Sequence, residues 1–492
     1  AQAGRSSPDG HPEEPLLTTE RVISMFPSAI RGTLAVLTVL AATLANAELS
    51  EAQRDLIERR ACEAAIWGMP AVGIYDIELA MQRDGGAEFG TLGYMSAPMD
   101  SRHGFLTAND VTPYVMGALT TKDGPIVIEV PPAGEKAQYF GTIVNAWDTP
   151  MADVGPSGAD KGKGGKYLLL PPDFEGEVPH EGYIVFRSDT YSVNFVFRPV
   201  ATDGGTHADQ AAYAQTLKWY PLAQAGDPPD TRFFDVYDNP INTLPVYDMT
   251  YFNDLNTVIQ REVVLDRDKA MMGLLASIGI EKGKTFEPDE ATQEALLKGL
   301  DCAYAAMQEH FVTKAVVPYW QGSQWQVWSF PEGQAESGFP FETDQMVLVD
   351  DRAGGAYFWI TYMPKRLGGG TFYLTGLDDS DGNPLNGTDT YRLNVPADTP
   401  AKDFWSVIVY SMQTKGFVQG AERVGLASTE LDQMTKNNDG SVDIFFAPEP
   451  PEGMASNWIP TGEDFFLLFR LYGPDKPLFE KTWVLDDVER LN

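Results

Sequence analysis

Histidine and cysteine are scarce in this chain, which has 5 and 2 of them among 492 residues. No HExxH motif or other zinc-type spacing occurs, so the sequence predicts no metal site built from neighbouring ligands. A Gly-x-Ser-x-Gly elbow is also missing, which argues against an α/β-hydrolase nucleophile. The loop from Lys161 to Lys166 resembles a phosphate-binding loop only superficially, because it lacks the ordered G-x-x-x-x-G-K-[ST] series.

Positive charge is also in short supply, since the formal net charge is −34. So negative a surface repels phosphate backbones and anionic lipid headgroups, and we therefore expect no nucleic-acid partner. Beyond the N-terminal region no apolar run approaches the ~20 residues that a bilayer-spanning helix needs, so we expect no membrane insertion of the mature chain. Association into a homo-oligomer stays open.

The N-terminal region resembles a secretory signal peptide, at about Met25–Ala47. Arg31 precedes an apolar run at Leu34–Leu44, and Ala45-Asn46-Ala47 follows as a cleavage site. The sequence thus predicts a periplasmic or secreted protein. In such a compartment Cys62 and Cys302 could form a disulfide, but two buried free thiols fit the sequence equally well.

The rest of the sequence predicts a mainly β fold with helical segments. Aromatic residues make up 11% of the chain, and 46 Gly and 35 Pro suit short strands joined by turns. Ser50–Gln53 is a capping-box pattern that opens a helix to about Trp67. Because Gly68-Met69-Pro70 should break it, a second helix is expected to Arg83, giving an N-terminal helical pair.

Two blocks of short apolar runs predict two β-sandwich or jelly-roll-like domains, joined by a helical connector. The predicted strands lie at 126–130, 138–144, 167–170, 182–187 and 192–198, then at 346–349, 357–363, 371–375, 390–395, 404–411, 442–446 and 465–472. The predicted domains are an upstream and signal segment at 1–47, helices plus the first β domain at 48–225, the connector at 226–345, and the second β domain at 346–492.

Ordered motifs in the C-terminal quarter, and others near residues 60–200, carry a family resemblance. They are Trp67–Pro70, Gly124–Pro131, Gly164–Leu168, Asp379–Gly387, Asp403–Tyr410, Asn438–Phe445, Asn457–Pro460 and Phe469–Pro474. In this the chain resembles a bacterial tandem of domain of unknown function 1254 followed by domain of unknown function 1214. The resemblance implies two β-sandwich-like domains, commonly exported, and no assigned reaction. One departure is Asn109-Asp110-Val-Thr-Pro-Tyr114, whose spacing differs from the Asn-x-Asp-Thr-x-Tyr of such proteins.

A candidate ligand site lies where the strand ending at Val144 meets Asn145-Ala-Trp147-Asp148. A Trp and a carboxylate at a strand end can stack on a ring and hydrogen-bond to it, whereas the alternative is a Trp that closes the sheet edge over the core. The other predicted ligand-binding residues are Tyr114, Asp153, Arg187, Trp458 and Arg470. We therefore expect a small molecule or saccharide to bind in an aromatic-lined cleft between the domains.

An enzyme is the alternative, a hydrolase or lyase in which Asp148 and His103 perform acid–base chemistry. His103 lies in a loop between helix and sheet, where site walls often form. No cofactor is implied by the sequence. Asp379, Asp381 and Asn383 resemble the start of a calcium loop, but the distal Glu is missing and a polar hairpin turn accounts for them.

Overall fold

The computed structural model describes residues 49–179, 181–358 and 370–491. The predicted signal segment Met25–Ala47 lies outside these residues. Within them, we find no helix with the length and apolarity to cross a membrane. The helices span Glu51–Arg83 (α1), His207–Ala214 (α2), Met249–Arg261 (α3), Lys269–Ala276 (α4), Glu290–Thr313 (α5), Gln334–Ser337 (α6), Val349–Phe358 (α7) and Lys476–Phe479 (α8).

The strands of the first half form two sheets. They span Leu92–Tyr94 (β1), Val115–Thr120 (β2), Ile126–Val130 (β3), Ala137–Asn145 (β4), Pro150–Val154 (β5), Gly165–Leu170 (β6), Ile184–Arg187 (β7), Ser192–Ala201 (β8), Lys218–Pro221 (β9) and Phe233–Asp235 (β10). Sheet I has the order β10-β1-β2-β8-β4-β5, and sheet II has the order β7-β6-β3-β9. Most pairs are antiparallel, while β1–β10 and β6–β7 are parallel.

The strands of the second half form two more sheets. They span Val316–Pro318 (β11), Trp325–Trp328 (β12), Thr371–Gly376 (β13), Tyr391–Val395 (β14), Ala401–Ser411 (β15), Gly425–Ala427 (β16), Val442–Ala447 (β17), Trp458–Pro460 (β18), Phe465–Pro474 (β19) and Glu489–Arg490 (β20). Sheet III has the order β11-β12-β13-β19-β15-β16, and sheet IV has the order β18-β17-β14-β20. The predicted α+β, mainly β class is confirmed.

Alternate residues of the long strands bury two different faces. On β19, Leu467, Phe469 and Leu471 pack with sheet IV, whereas Phe466 and Leu468 face the helices. On β8, Phe195 and Phe197 likewise pack against sheet II. Since side chains alternate across a strand, sheets I and III each bury both faces. Each half is therefore a pair of facing sheets, and the helices pack on the opposite faces of sheets I and III.

The predicted break in the first helix is wrong, because α1 runs unbroken through Pro70. Proline removes one backbone donor from a helix, yet residues 64–74 of α1 are buried, and their packing keeps the helix continuous. At Gly68 an added Cβ would lie 2.7 Å from Leu255 Cδ1, so the glycine serves the close contact with α3. An N-terminal helical pair is therefore replaced by one long helix.

A disulfide between Cys62 and Cys302 links α1 to α5, which resolves the alternative left open by the sequence. The two helices approach closely beside it. An added Cβ on Gly299 would lie 2.4 Å from Ala61 Cβ and 2.6 Å from the Glu58 carbonyl oxygen. Only glycine fits this contact without a shift of the helices.

The strands predicted at 346–349 and 357–363 are wrong where the structure describes them, because Val349–Phe358 is the helix α7. Asp350 and Asp351 lie in its first turn, where carboxylates stabilise the helix dipole. Gly354 lets the helix approach α5, since an added Cβ would lie 2.6 Å from His310. Residues 359–363 of the second prediction lie outside the described residues.

Candidate functional site

The turn between β4 and β5 is built around Asn145. Its side-chain Oδ1 accepts the backbone N–H groups of Trp147 and Thr149, at 2.8 and 2.9 Å. The Ala146 N–H bonds to Thr190 Oγ1 at 3.0 Å, which ties the turn to the neighbouring strand connection. Asn145 thus acts through the shape of the turn, which holds Trp147 and Asp148 at the end of the strand.

A narrow pocket opens beside this turn, between α1, the β4–β5 turn and α7. Its lining residues are Pro70, Trp147, Asp148, Thr149, Phe339, Phe341, Arg352, Gly355 and Ala356. Three of these nine residues are aromatic, while Arg352 and Asp148 contribute charged groups. The structure therefore places the predicted residues Trp147 and Asp148 in one pocket. Phe339, Phe341 and Arg352, which lie 190 or more positions later in the sequence, share that pocket.

Two buried donors in this pocket lack a hydrogen-bond partner among the described atoms. Trp147 and Arg352 are 4% and 6% exposed, and neither the indole Nε1 of Trp147 nor the Nε of Arg352 has an acceptor. Arg352 Nη2 donates to the Trp67 carbonyl oxygen at 3.2 Å, and its guanidinium carbon lies 5.5 Å from the centroid of the Trp147 ring. Burial lowers the pKa of the Arg352 guanidinium to about 10, and the nearby Asp268 carboxylate opposes that shift.

A chain of polar contacts connects the two walls of the pocket. Asn145 Nδ2 donates to Asp189 at 2.6 Å, and Asp189 accepts from Arg267 at 3.3 Å. Arg267 also donates to Glu342 at 2.8 Å, next to Phe341 in the opposite wall. Arg267 bonds to groups on both sides of the pocket. It therefore fixes the position of the β4–β5 turn relative to the segment that contains Phe341.

Backbone strain is concentrated in the same walls. Asp148, Phe339 and Phe341 have φ angles of +57°, +57° and +50°, and they are three of eight non-glycine residues with positive φ in the described chain. Bulky residues rarely adopt this conformation, which costs roughly 1–3 kcal/mol each and persists where surrounding contacts impose it. The pocket walls are thus held in an unfavourable geometry by the rest of the fold.

A second narrow pocket continues along α7 and shares Phe341 and Gly355 with the first. Its wall includes Trp328, Phe330 and Phe358, with His310 and Asp351 as titratable groups. Burial lowers the pKa of His310, and the Asp351 carboxylate opposes that shift. The aromatic lining therefore extends over two adjoining pockets.

His103 lies outside both pocket linings. It is 0% exposed, its Nδ1 accepts the backbone N–H of Asp100 at 3.1 Å, and its Nε2 lies 3.2 Å from the Val236 carbonyl oxygen. Its Nδ1 also lies 3.1 Å from Asp100 Oδ1, so groups of the chain itself occupy both ring nitrogens. Neither of these two pockets contains both Asp148 and His103.

Tyr114 and Arg470 meet in a different place, an arginine–tyrosine cluster between sheets I and III. It consists of Asp110, Tyr114, Arg198, Tyr373, Tyr410, Arg470 and Tyr472. Arg470 is 3% exposed and donates to the carbonyl oxygens of Thr107 and Ala108, at 2.9 and 3.2 Å. The Tyr410 hydroxyl also donates to the Ala108 carbonyl.

Asp110 supplies the carboxylate of this cluster and acts as a counter-ion to Arg470. Burial raises the pKa of Asp110 to about 6, and the Arg470 guanidinium opposes that shift. The Arg470 guanidinium carbon lies 5.3 and 5.6 Å from the ring centroids of Tyr373 and Tyr410. Tyr114 and Arg470 thus join two sheets to each other, and neither lines the pocket beside Trp147.

The remaining predicted ligand-binding residues lie apart from the pocket. Asp153 accepts from Thr142 at 2.9 Å between β4 and β5. Arg187 is exposed and donates to the carbonyl oxygens of Pro171 and Phe174, both at 3.0 Å. Trp458 donates its indole N–H to the Ala447 carbonyl at 2.8 Å in a small cluster on sheet IV. Each of these contacts stabilises a strand or a loop.

The calcium-like segment forms a turn closed by its own carboxylate. Asp379 Oδ1 accepts the backbone N–H groups of Asp381 and Asn383, at 3.0 and 2.9 Å. Asp379 is 0% exposed. Throughout the described residues, no group of three or more His, Cys, Asp or Glu side chains is arranged to hold a metal ion.

Sequence reasoning missed Arg352, Phe339 and Phe341. Phe339 and Phe341 stand in a Gly- and Pro-containing stretch that has no helical or strand period. Arg352 lies in a segment predicted to precede a strand, and no local pattern indicates that it faces Trp147. One clue in the sequence is that Arg352 stands beside a run of small residues. Ala353-Gly354-Gly355-Ala356 permits close packing around the arginine.

Comparison with known families agrees with the motifs. Residues 89–221 match the model for a protein of unknown function, DUF1254, and residues 370–476 match the model for a protein of unknown function, DUF1214. The chain thus carries these two domains in the order that the sequence predicts. Among curated proteins, none matches the sequence.

One solved structure shows a similar fold. The crystal structure of the VPA0106 protein from Vibrio parahaemolyticus superposes with a TM-score of 0.51 and 18% identity, covering 89% of this chain and 100% of that one. An uncharacterized protein from Burkholderia cenocepacia aligns at 11% identity with a TM-score of 0.35, covering 88% of this chain and 94% of that one. The likeness to the Vibrio protein concerns the fold alone.

Proposed function

We propose that this tandem of domains of unknown function 1254 and 1214 binds a small organic molecule in the pocket beside Trp147. The observation that carries the proposal is the unpartnered Nε of Arg352, a buried residue that lines a pocket together with three aromatic side chains. Buried donors are normally satisfied, and a concave apolar surface with a few polar groups is the usual form of a ligand site. The strained conformations of Asp148, Phe339 and Phe341 support the same reading.

The alternative hydrolase or lyase has less support from the geometry. His103 is buried and engaged with backbone groups, and it does not share a pocket with Asp148. A general acid or base must lie within hydrogen-bond reach of the proton that it transfers. Binding without turnover is therefore the function that we put forward.

We further propose that the chain is exported to an oxidising compartment, as its N-terminal sequence predicts. The disulfide between Cys62 and Cys302 supports this location, because such bonds persist in the periplasm and outside the cell and are rare in the cytosol. Fractionation of the host, with free-thiol labelling of the recovered protein, tests it. Recovery in the cytosolic fraction with two reactive thiols would refute this location.

A ligand screen with a pocket-filling variant tests the binding function. Thermal unfolding is followed with methyl glucoside, indole, benzyl alcohol and benzoate as probes. A probe at ten times its Kd stabilises the folded protein by about 1.4 kcal/mol, which raises the Tm. We expect at least one probe to do so.

Ala356→Leu is the matched test of location, since Ala356 lines the pocket and is 5% exposed. The control is Ala305→Leu, at an exposed position of α5. The Tm rise should disappear in the first variant and persist in the second. Equal rises in both variants, or none in the wild type with any probe, would contradict the proposal.

A further inference from the structure

We infer that Arg352 and the indole N–H of Trp147 form a subsite for a carboxylate, so that the ligand is a small organic acid. This inference rests on the proposed function, and it adds the chemical class of the ligand. Trp147 and Arg352 both line the pocket, both side chains are at least nine-tenths buried, and the Trp147 Nε1 and the Arg352 Nε have no acceptor among the described atoms. A carboxylate has two oxygens, each of which accepts hydrogen bonds from such groups.

Arg352 forms no direct ion pair with the described charged groups around it. No described carboxylate lies within 4 Å of its guanidinium in an ion pair, although Asp268 and Glu342 act on it from a greater distance. Both of these carboxylates contact Arg267, at 4.0 and 2.8 Å. A buried guanidinium is normally paired, so a ligand carboxylate supplies the interaction that the chain itself does not.

The pocket favours a carboxylate over a dianion such as phosphate. The chain brings one guanidinium to this pocket, and Asp148 in its wall adds a carboxylate that repels a second negative charge. Phe339, Phe341 and Pro70 form the rest of the wall. An acid with one negative charge and a flat ring or short alkyl tail matches both parts of the pocket.

Matched pairs of acids and alcohols test the inference on the full chain. Benzoate is compared with benzyl alcohol, and butanoate with butanol, by titration calorimetry. The proteins are the wild type, Arg352→Gln and Trp147→Phe, which keeps the ring and removes the N–H. Arg59→Gln is the control, because it removes the same charge at an exposed position of α1.

We expect the wild type to bind an acid at least tenfold more tightly than the alcohol of the same carbon skeleton. That preference should fall at least tenfold in Arg352→Gln and severalfold in Trp147→Phe, and stay unchanged in Arg59→Gln. Far-ultraviolet circular dichroism monitors folding. If Arg352→Gln does not fold, the loss of preference in Trp147→Phe decides the outcome.

The possible failures are distinguishable. Equal affinity for acids and alcohols in the wild type, or an acid preference untouched by the variants, overturns the carboxylate subsite and leaves the binding function standing. Binding of neither class to the wild type removes the subsite, and the proposed function falls with it if methyl glucoside and indole also fail to bind.

Discussion

Removal of the disulfide between Cys62 and Cys302 should strongly destabilise the fold, because the bond closes a very long loop. The two cysteines are 240 residues apart in the sequence. In the chain-entropy model, a closed loop of this length restricts the unfolded chain by about 5 kcal/mol, while measured values for disulfides are typically 2–4 kcal/mol. We therefore expect the free energy of unfolding to fall by about 2–5 kcal/mol in Cys62→Ser/Cys302→Ser.

Urea unfolding followed by tryptophan fluorescence measures this loss, provided that the transition is cooperative. Cys302 is exposed whereas Cys62 is 8% exposed, so a phosphine reductant can reach the bond from one side. The reduced wild type should match the double variant, and the double variant should not respond to the reductant. A loss below about 1 kcal/mol in both experiments would refute the entropic reasoning.

Three further changes have outcomes that the structure predicts. Gly299→Ala should lower the unfolding free energy by about 1–3 kcal/mol in urea titrations, because the new Cβ meets Ala61 Cβ at 2.4 Å; an unchanged midpoint would contradict this. Burial raises the pKa of Asp110 to about 6 in the folded protein, whereas the pKa is ~3.9 in the unfolded chain. The stabilising contribution of Asp110 is therefore complete below pH 4 and is lost as the pH rises through 6. Asp110→Asn should therefore gain about 2 kcal/mol over the wild type between pH 4 and pH 7, and a constant difference would refute it. Burial lowers the folded pKa of Lys415 to about 7, so wild-type stability should rise with pH between about 7 and 10, and Lys415→Met should abolish that rise in unfolding experiments.

Local patterns predicted many of the longer strands, but they missed the continuity of α1 and the helix α7. The apolar runs at Ile126 and Val442 begin strands where expected, because short alternating segments between turns have few other stable arrangements. Pro70 was expected to end a helix, yet the packing of α1 keeps it continuous. Tyr357 was assigned to a strand and ends a helix, since its propensity was outweighed by contacts of α7 with α5.

Two of the nine residues that line the candidate pocket were predicted from the sequence. Trp147 and Asp148 follow the strand β4, and the loops at strand ends commonly form the walls of pockets. Arg352 and Phe341 come from a segment about 200 residues later, and their position depends on the packing of α7 against α5 and on the Arg267 contacts. No residue spacing in the sequence indicates that these two segments meet.

The backbone of Thr107 and Ala108 lies in the DUF1254 match, but its carbonyls are bonded by Arg470 and Tyr410 of the DUF1214 match. Splitting the gene between the two regions would leave a guanidinium without its acceptors in one product and bare carbonyl oxygens in the other. Each half would then satisfy these groups only by associating with the other. Inheritance of both in a single reading frame guarantees that they are synthesised together in equal number.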